Sequence, residues 1–290
     1  MVKCSLIITV KDRLNHFLQT FPSAISQYGI DYELIYVNFH SNDNFEECFK
    51  GEVEFREPMF SPHLKKIKQV KLLEDLSFSP RKSKNMSVPY TDVNSQFLAF
   101  SDVDVFISSN YLHYWVDKVI PNQTFSATRI QETKASAPSR LKPEINYGNF
   151  VVSKVDYVEV RGLDETVKHY GGDDDDIYHR LKIRGLREIN PHTAVEARNY
   201  SIIHGDDLRL SGLEVSKRAN SAQAFEKIYS NINYESPQSD FLDAYFLKDK
   251  VEHETIFEKE WFWLRAAAAL LEATLSICLL KIMKYMLLTI

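Results

Sequence analysis

Near its start the chain runs Cys4-Ser5-Leu6-Ile7-Ile8-Thr9-Val10, an almost unbroken apolar stretch of the kind a strand shows when both its faces are buried. Residues 13–28 space their apolar positions as a helix does, with Pro22 inside, and Tyr32 to Phe39 (YELIYVNF) predicts a second buried strand. A polar turn, Ser41-Asn42-Asp43-Asn44, opens a short helix, and residues 63–76 carry enough charge to read as a surface segment. Ser79 before Pro80 marks a helix start running toward Val88. Gln96 to Ser101 (QFLAFS) predicts a strand that ends at Asp102-Val103-Asp104. This alternation predicts an α/β fold with a mostly parallel sheet, flanked by helices and binding ligands at the carboxyl ends of its strands.

The second half is less regular. Residues 130–146 are polar and contain proline, so they read as a mobile loop. Asn149 to Ser153 predicts a strand, Asp174 to Arg184 a helix, and residues 200–204 (YSIIH) another strand. Residues 211–231 read as helical, followed by a variable region to about 258. From Trp261 to Ile290 the chain is mostly apolar, interrupted by Arg265, Glu272, Lys281 and Lys284. The run between Arg265 and Lys281 is short for a spanning helix. Its flanking aromatics and lysines suit a helix lying at a membrane interface, with packing on the domain or a true span as the other readings.

Composition narrows the classes. The 290 residues are 44% hydrophobic and 26% charged, enough apolar material for a packed core. The net charge of −5 lacks the basic excess of a general nucleic-acid binder, so no nucleic-acid partner is expected. Cys4, Cys48 and Cys278 are odd in number and far apart, which fits a reducing compartment better than a disulfide framework or a zinc site. The glycosylation triplets at Asn85, Asn122 and Asn199 read as chance matches. Met1-Val2-Lys3 leads straight into the first strand, so no signal peptide is expected. The expected location is cytoplasmic, with the inner membrane face as the place where residues 261–290 would attach.

Four groups of residues carry chemistry. Asp102 and Asp104 place two carboxylates at alternate positions after an apolar strand; their repulsion is relieved by a hard divalent cation carrying a diphosphate, although a solvated turn has the same pattern. Tyr170-Gly171-Gly172 precedes Asp173-Asp174-Asp175-Asp176. Such an acidic run can simply favour a helix N-terminus, but the glycines allow close backbone approach and one carboxylate among others can serve as a general base. His204, followed by Gly205-Asp206-Asp207, is a metal-ligand candidate at a strand end, a place where histidines are also merely structural. Lys11-Asp12-Arg13 and Arg81-Lys82-Ser83-Lys84-Asn85 are basic loops that can hold a nucleotide and its phosphates or be solvated.

In order and spacing, these pieces resemble the β-1,4-galactosyltransferase family and the related catalytic domains of chondroitin-type polymerases. The likeness runs from about Leu6 to Asp207. Its most specific stretch is Asn149 to Gly185, with Ser153-Lys154, Arg161-Gly162-Leu163-Asp164-Glu165, the acidic run, Arg180-Leu181 and Arg184-Gly185. The resemblance implies a GT-A fold, one Rossmann-like catalytic domain over residues 1–210; beyond it the residues themselves predict a helical C-terminal region over 211–260 and the apolar segment over 261–290. It implies Mn²⁺, replaceable by Mg²⁺, on Asp104 and His204. Asp102 would contact the nucleotide sugar, Lys11 and Arg13 would sit near the uridine, Arg81 near the nucleotide, and Gly148 near the donor sugar. Asp174 would be the catalytic base, Gly172, Asp173 and Asp175 would hold the acceptor, and Tyr170 would line both sugars.

The chain departs from the family at several of these places. Gly-Gly-Glu-Asp is Gly171-Gly172-Asp173-Asp174, the usual tryptophan is Tyr170, the usual methionine ligand aligns with Ser201, and Gly-Gly before the donor strand is Tyr147-Gly148. The implied activity is inverting transfer of a hexose or N-acetylhexosamine from a UDP-sugar to a glycan or lipid-linked saccharide acceptor. The alternatives are an inverting transferase with a non-galactose donor and a catalytically decayed nucleotide-sugar-binding protein. A two-metal phosphohydrolase would require a second dense His/Asp set, which the sequence lacks.

Overall fold

A computed structural model of the chain describes residues 1–73, 79–132, 145–165, 173–189, 199–202 and 251–259. The elements near the N-terminus are β1 (Cys4–Val10), α1 (Leu14–Ile25), β2 (Tyr32–Asn38), α2 (Phe45–Arg56) and β3 (Leu64–Leu72). They are followed by α3 (Pro80–Ser87), β4 (Phe97–Asp102), β5 (Val105–Ile107), α4 (Tyr111–Lys118), β6 (Thr124–Glu132) and β7 (Ile145–Ser153). Then come α5 (Lys154–Glu159), α6 (Asp173–Ile183), β8 (Arg187–Ile189), β9 (Asn199–Ser201) and β10 (Val251–Glu258). The strands form one sheet in the order β10-β3-β2-β1-β4-β7-β6-β9-β5, with β8 paired to β6.

The central strands β3, β2, β1 and β4 are mutually parallel. Chain order therefore runs outward from β1 to β3 on one side and jumps to β4 on the other. The crevice beside the carboxyl ends of β1 and β4 is the switch point at which open α/β sheets bind ligands. Thr9 pairs with Asp102, so the first acidic residue of Asp-Val-Asp stands level with the end of β1.

The apolar run of β1 is explained by its two covered faces. Leu6, Ile8 and Val10 point into a cluster with Phe17, Phe21, Phe45, Phe49, Tyr111 and Trp115 from α1, α2 and α4. Ile7 joins Ile35, Val37, Met86, Tyr157, Ile177 and Leu181 on the other side, beneath α3, α5 and α6. On the first face Phe17 meets Tyr36 edge-on at 5.2 Å and Phe45 at 5.0 Å. Such ring pairs each add about 0.5–1.5 kcal/mol beyond their area burial.

The α/β reading with its parallel central sheet is borne out. Three local readings are corrected. The charged segment 63–76 contains strand β3, in which Leu64, Ile67, Val70 and Leu72 are buried. Its lysines mislead because acids from neighbouring elements meet them: Lys68 pairs with Glu33 at 2.7 Å, Lys66 with Glu258 at 2.8 Å, and Lys71 with Glu46. Val251–Glu258, inside the stretch expected to be a helical C-terminal region, is instead β10, antiparallel to β3. Lysine-rich β3 and glutamate-rich β10 thus pair across an edge that would otherwise lie open. Part of the expected loop 130–146 is also strand: β6 reaches Glu132 and β7 begins at Ile145. Among the described residues no helix is long and apolar enough to cross a membrane; residues 261–290 lie outside them.

Below the sheet, at the amino ends of its strands, a polar cluster ties the layers together. Desolvation pushes the Asp92 carboxyl up, but the Asn94 backbone N–H and the Lys66 ammonium outweigh it and hold the group below its ordinary value. Asp31 is held low in the same way, its desolvation outweighed by Lys65 and His63. A carboxyl lowered by folding contributes stability that is present above its unfolded value and lost as pH falls through the lower folded value. Thermal midpoints are therefore expected to hold at mildly acidic pH and to fall below about pH 4. Asp92→Asn should lower the midpoint at neutral pH and flatten the acid decline. An Asp92→Asn midpoint equal to that of the parent at neutral pH would contradict this.

Candidate functional site

The loops after β1 and β2 are laced to each other at the carboxyl edge. Asp12 adopts φ 51° and its carboxylate accepts from the Asn42 backbone N–H at 2.7 Å, while its own N–H donates to the Ser41 hydroxyl at 3.1 Å. Lys11 donates to the His40 carbonyl and lies 3.5 Å from Asp12. Its ammonium is therefore engaged in fixing this turn. Arg13 is half-buried just before α1, and its carbonyl accepts the N–H groups of His16 and Phe17.

Helix α3 is unusual in what it buries. Arg81, Ser83, Lys84, Asn85 and Ser87 are all covered, against β1 and β2. A buried polar helix is stable only where its polar groups have partners. Ser79 caps it, accepting from the Lys82 N–H, as the sequence predicts. Asn85, completely buried, uses its whole amide: Oδ1 accepts from the Tyr157 hydroxyl at 2.7 Å and the Leu163 N–H at 2.9 Å. Its Nδ2 donates to the Leu163 carbonyl and to Glu165 Oε1, each at 2.8 Å. This locks α3 to the loop 161–165, where Arg161 and Gly162 both turn left-handed at φ 61° and 64°. Asn85 and Asn199 are wholly buried, so neither is a glycosylation acceptor in the folded chain.

Asp102 ends β4. Its N–H donates to the buried Asn149 side chain of β7 at 3.3 Å, and its carboxylate stands 3.5 Å from the Lys84 ammonium. Asp104 follows in the turn to β5, half-buried, and its carbonyl accepts from the Ile202 N–H at 2.8 Å. Because Val105 pairs with Ser201, the chain that leads on to His204 leaves from beside Asp104. Gly148 lies buried in β7 next to Asn149.

The acidic run starts α6. Asp173 is its first residue, Asp174 is half-buried and Asp175 exposed. Asp176 has a different role: it is buried and holds Arg180 one turn on, at 3.0 Å from Nε and 2.5 Å from Nη2. Arg180 in turn donates to the Val160 carbonyl at 2.6 Å. Polar contacts of neighbouring residues on α3 thus reach Asp102 through Lys84 and the loop after α5 through Asn85, and Arg180 ties the end of α5 to α6. The site side chain of Asp173 and all of Tyr170, Gly172 and His204 lie outside the described residues. Among the described residues, no group of three or more His, Cys, Asp or Glu side chains stands ready for a metal ion. Sequence reasoning missed Asn149 and the full part played by Asn85; an asparagine in an otherwise apolar strand is the signal for the first.

Comparison with known proteins agrees with this geometry. A family model described as the N-terminal domain of galactosyltransferase matches residues 131–204, the part that contains β7, α5, α6, β8 and β9. Residues 1–349 of Staphylococcus aureus TarS, solved with UDP-GlcNAc, superpose with a TM-score of 0.59 at 15% identity, covering 85% of this chain and 73% of that one. The mannosyltransferase PcManGT of Pyrobaculum calidifontis, solved with GDP-Man and Mn²⁺, gives 0.59 at 14% identity, covering 84% and 69%. The catalytic domain of Drosophila β1,4-galactosyltransferase 7, complexed with xylobiose, gives 0.50 at 13% identity, covering 78% and 80%. The fold is that of the GT-A glycosyltransferases. No curated protein sequence matches the chain.

Within this GT-A fold, Asn85 joins helix α3 to the loop 161–165 that follows α5. Asn85→Ala removes all four of these hydrogen bonds at a completely buried position and should cost on the order of 3 kcal/mol in urea unfolding. A loss below about 1 kcal/mol would show that the joint is dispensable.

Proposed function

We propose that the chain is an inverting glycosyltransferase that moves a hexose or N-acetylhexosamine from a UDP-sugar to a hydroxyl of a glycan or lipid-linked acceptor. The observation that supports this best is the placement of Asp102 and Asp104 at the carboxyl edge of β4, next to the switch point at β1. Lys11 and Arg13 follow β1 at that edge, and together with Arg81, in the first turn of α3, they are the basic residues that would meet a uridine diphosphate.

A divalent cation, Mn²⁺ or Mg²⁺, fits the donor set. The described residues offer carboxylate oxygens, hard ligands suited to either ion, and such ions commonly complete their shell with substrate phosphates and water. Asp104 and His204 would hold it, and when bound it would offset charge developing on the leaving diphosphate. Asp174, at the first turn of α6, takes the proton from the acceptor hydroxyl. The acceptor oxygen forms its bond to the anomeric carbon from the far face as the bond to UDP breaks and the electron pair leaves with the diphosphate. One base and one displacement give inversion. Asp173, Asp175 and Gly172 would orient the acceptor, and Tyr170 and Gly148 would border the sugars. Peripheral membrane contact through residues 261–290 would bring a lipid-linked acceptor within reach.

The test is UDP release from a panel of UDP-sugars, with Mn²⁺ and with EDTA. Metal-dependent release from one sugar names the donor; binding without release under any condition would instead indicate a nucleotide-sugar-binding protein. Asp174→Asn should lower turnover by about 100-fold or more while leaving UDP affinity in place. An Asp174→Asn protein with near-parental turnover would remove Asp174 from the role of base.

A further inference from the structure

Lys84 is almost fully covered, with only 2% of its side chain exposed, and its ammonium lies 3.5 Å from the Asp102 carboxylate, which keeps 41% of its side chain exposed. A lysine is rarely buried to this degree, because removing an ammonium from water is costly unless an opposite charge compensates. The rest of α3 shows what purely structural polar groups look like here. Asn85 is saturated by four bonds, Ser83 donates to the Ser79 carbonyl at 2.8 Å, and Ser87 donates to the Lys84 carbonyl at 2.6 Å. Lys84 differs in sending its charge out of the helix, to the carboxylate that faces the ligand edge.

Asp102 and Asp104 are two residues apart at the end of β4, and the Lys84 ammonium, from α3, meets the first of them. We infer that Lys84 is a built-in counter-cation of the donor site, fixing the Asp102 carboxylate and supplying from the protein part of the positive charge that a nucleoside diphosphate needs. The inference rests on the nucleotide-sugar reading of this edge. Two consequences have opposite signs. With Lys84 present, the acidic pair attracts a divalent ion less strongly when no nucleotide is bound. With Lys84 present, a nucleoside diphosphate retains part of its affinity when no metal is available. Lys84 is on this account a positioning residue: it acts through Asp102 and through its field.

A merely structural lysine would, on removal, weaken both kinds of binding together. The experiment therefore compares the parent chain with Lys84→Met, which keeps the aliphatic length and removes the charge. Mn²⁺ binding without nucleotide is followed by electron paramagnetic resonance, and UDP binding by calorimetry in EDTA and in Mn²⁺. In Lys84→Met, Mn²⁺ affinity should rise by about tenfold and UDP affinity in EDTA should fall by about tenfold, with a smaller loss in Mn²⁺. Unchanged or weaker Mn²⁺ binding by folded Lys84→Met, or unchanged UDP affinity in EDTA, overturns the inference. If Lys84→Met does not fold, Lys84→Met with Asp102→Asn removes the pair without leaving a lone charge. That double variant must lose UDP affinity in EDTA, and parental affinity in it would overturn the inference. A parent chain that binds no UDP in either condition overturns the nucleotide-sugar reading, and the inference falls with it; metal-dependent UDP binding that Lys84→Met leaves untouched overturns the role of Lys84 alone.

Discussion

Parallel pairing of β1 with both β2 and β4 is the constraint on which the rest of the structure depends. It sets Thr9 beside Asp102 and brings the carboxyl ends of the central strands to one edge. Lys11, Asp12 and Arg13 follow the end of β1, and Asp102 and Asp104 lie at the end of β4. The pairing is itself held by burial: β1 presents apolar side chains to clusters on both faces, so a slip of one residue would exchange the faces of the whole strand. Site geometry at this edge is therefore a by-product of core packing, which is why flexible side chains are not needed to assemble it.

The second determinant is polar. Helix α3 buries mostly polar side chains, held by hydrogen bonds and by the contact of the covered Lys84 ammonium with Asp102. Through Asn85 it fixes the loop 161–165, and through Val160 and Arg180 that loop fixes α6. The carboxyl edge of β4 and the acidic helix are thus tied together through α3 and α5, although they come from different parts of the chain. The proposed transfer needs an attacking hydroxyl held close to its line of approach, which is the kind of positioning that a fixed frame favours. Asp176, buried against Arg180, belongs to the frame, while Asp174 and Asp175 lie toward the surface of the same turn.

Much of the fold was legible because its signals are local. Strands β1, β2 and β4 are apolar runs, the Ser79-Pro80 helix start is a cap written in two residues, and α6 follows from its acidic start and apolar spacing. β3 was not legible, because its lysines are neutralised by acids distant in sequence, and pairing at such range leaves no mark in a short window. For the same reason β10 escaped: VEHETIFE becomes a strand only where β3 offers it an edge. On the site, Asp102 and Asp104 could be found from the strand that ends in them, whereas Asn149 and Asn85 act through contacts that only the folded chain makes. The site assignments at Tyr170, Gly172 and His204 remain proposals resting on the resemblance.

The central claim is that a nucleoside diphosphate and its metal lie across the carboxyl ends of β1 and β4. Its most direct test is diffraction from crystals grown with UDP and Mn²⁺, recorded where manganese scatters anomalously. The account predicts one anomalous peak in coordination contact with Asp104, with the diphosphate beside it and the uridine toward the loop after β1. A peak confined to the acidic start of α6, or a nucleotide bound away from the β1–β4 edge, would contradict it.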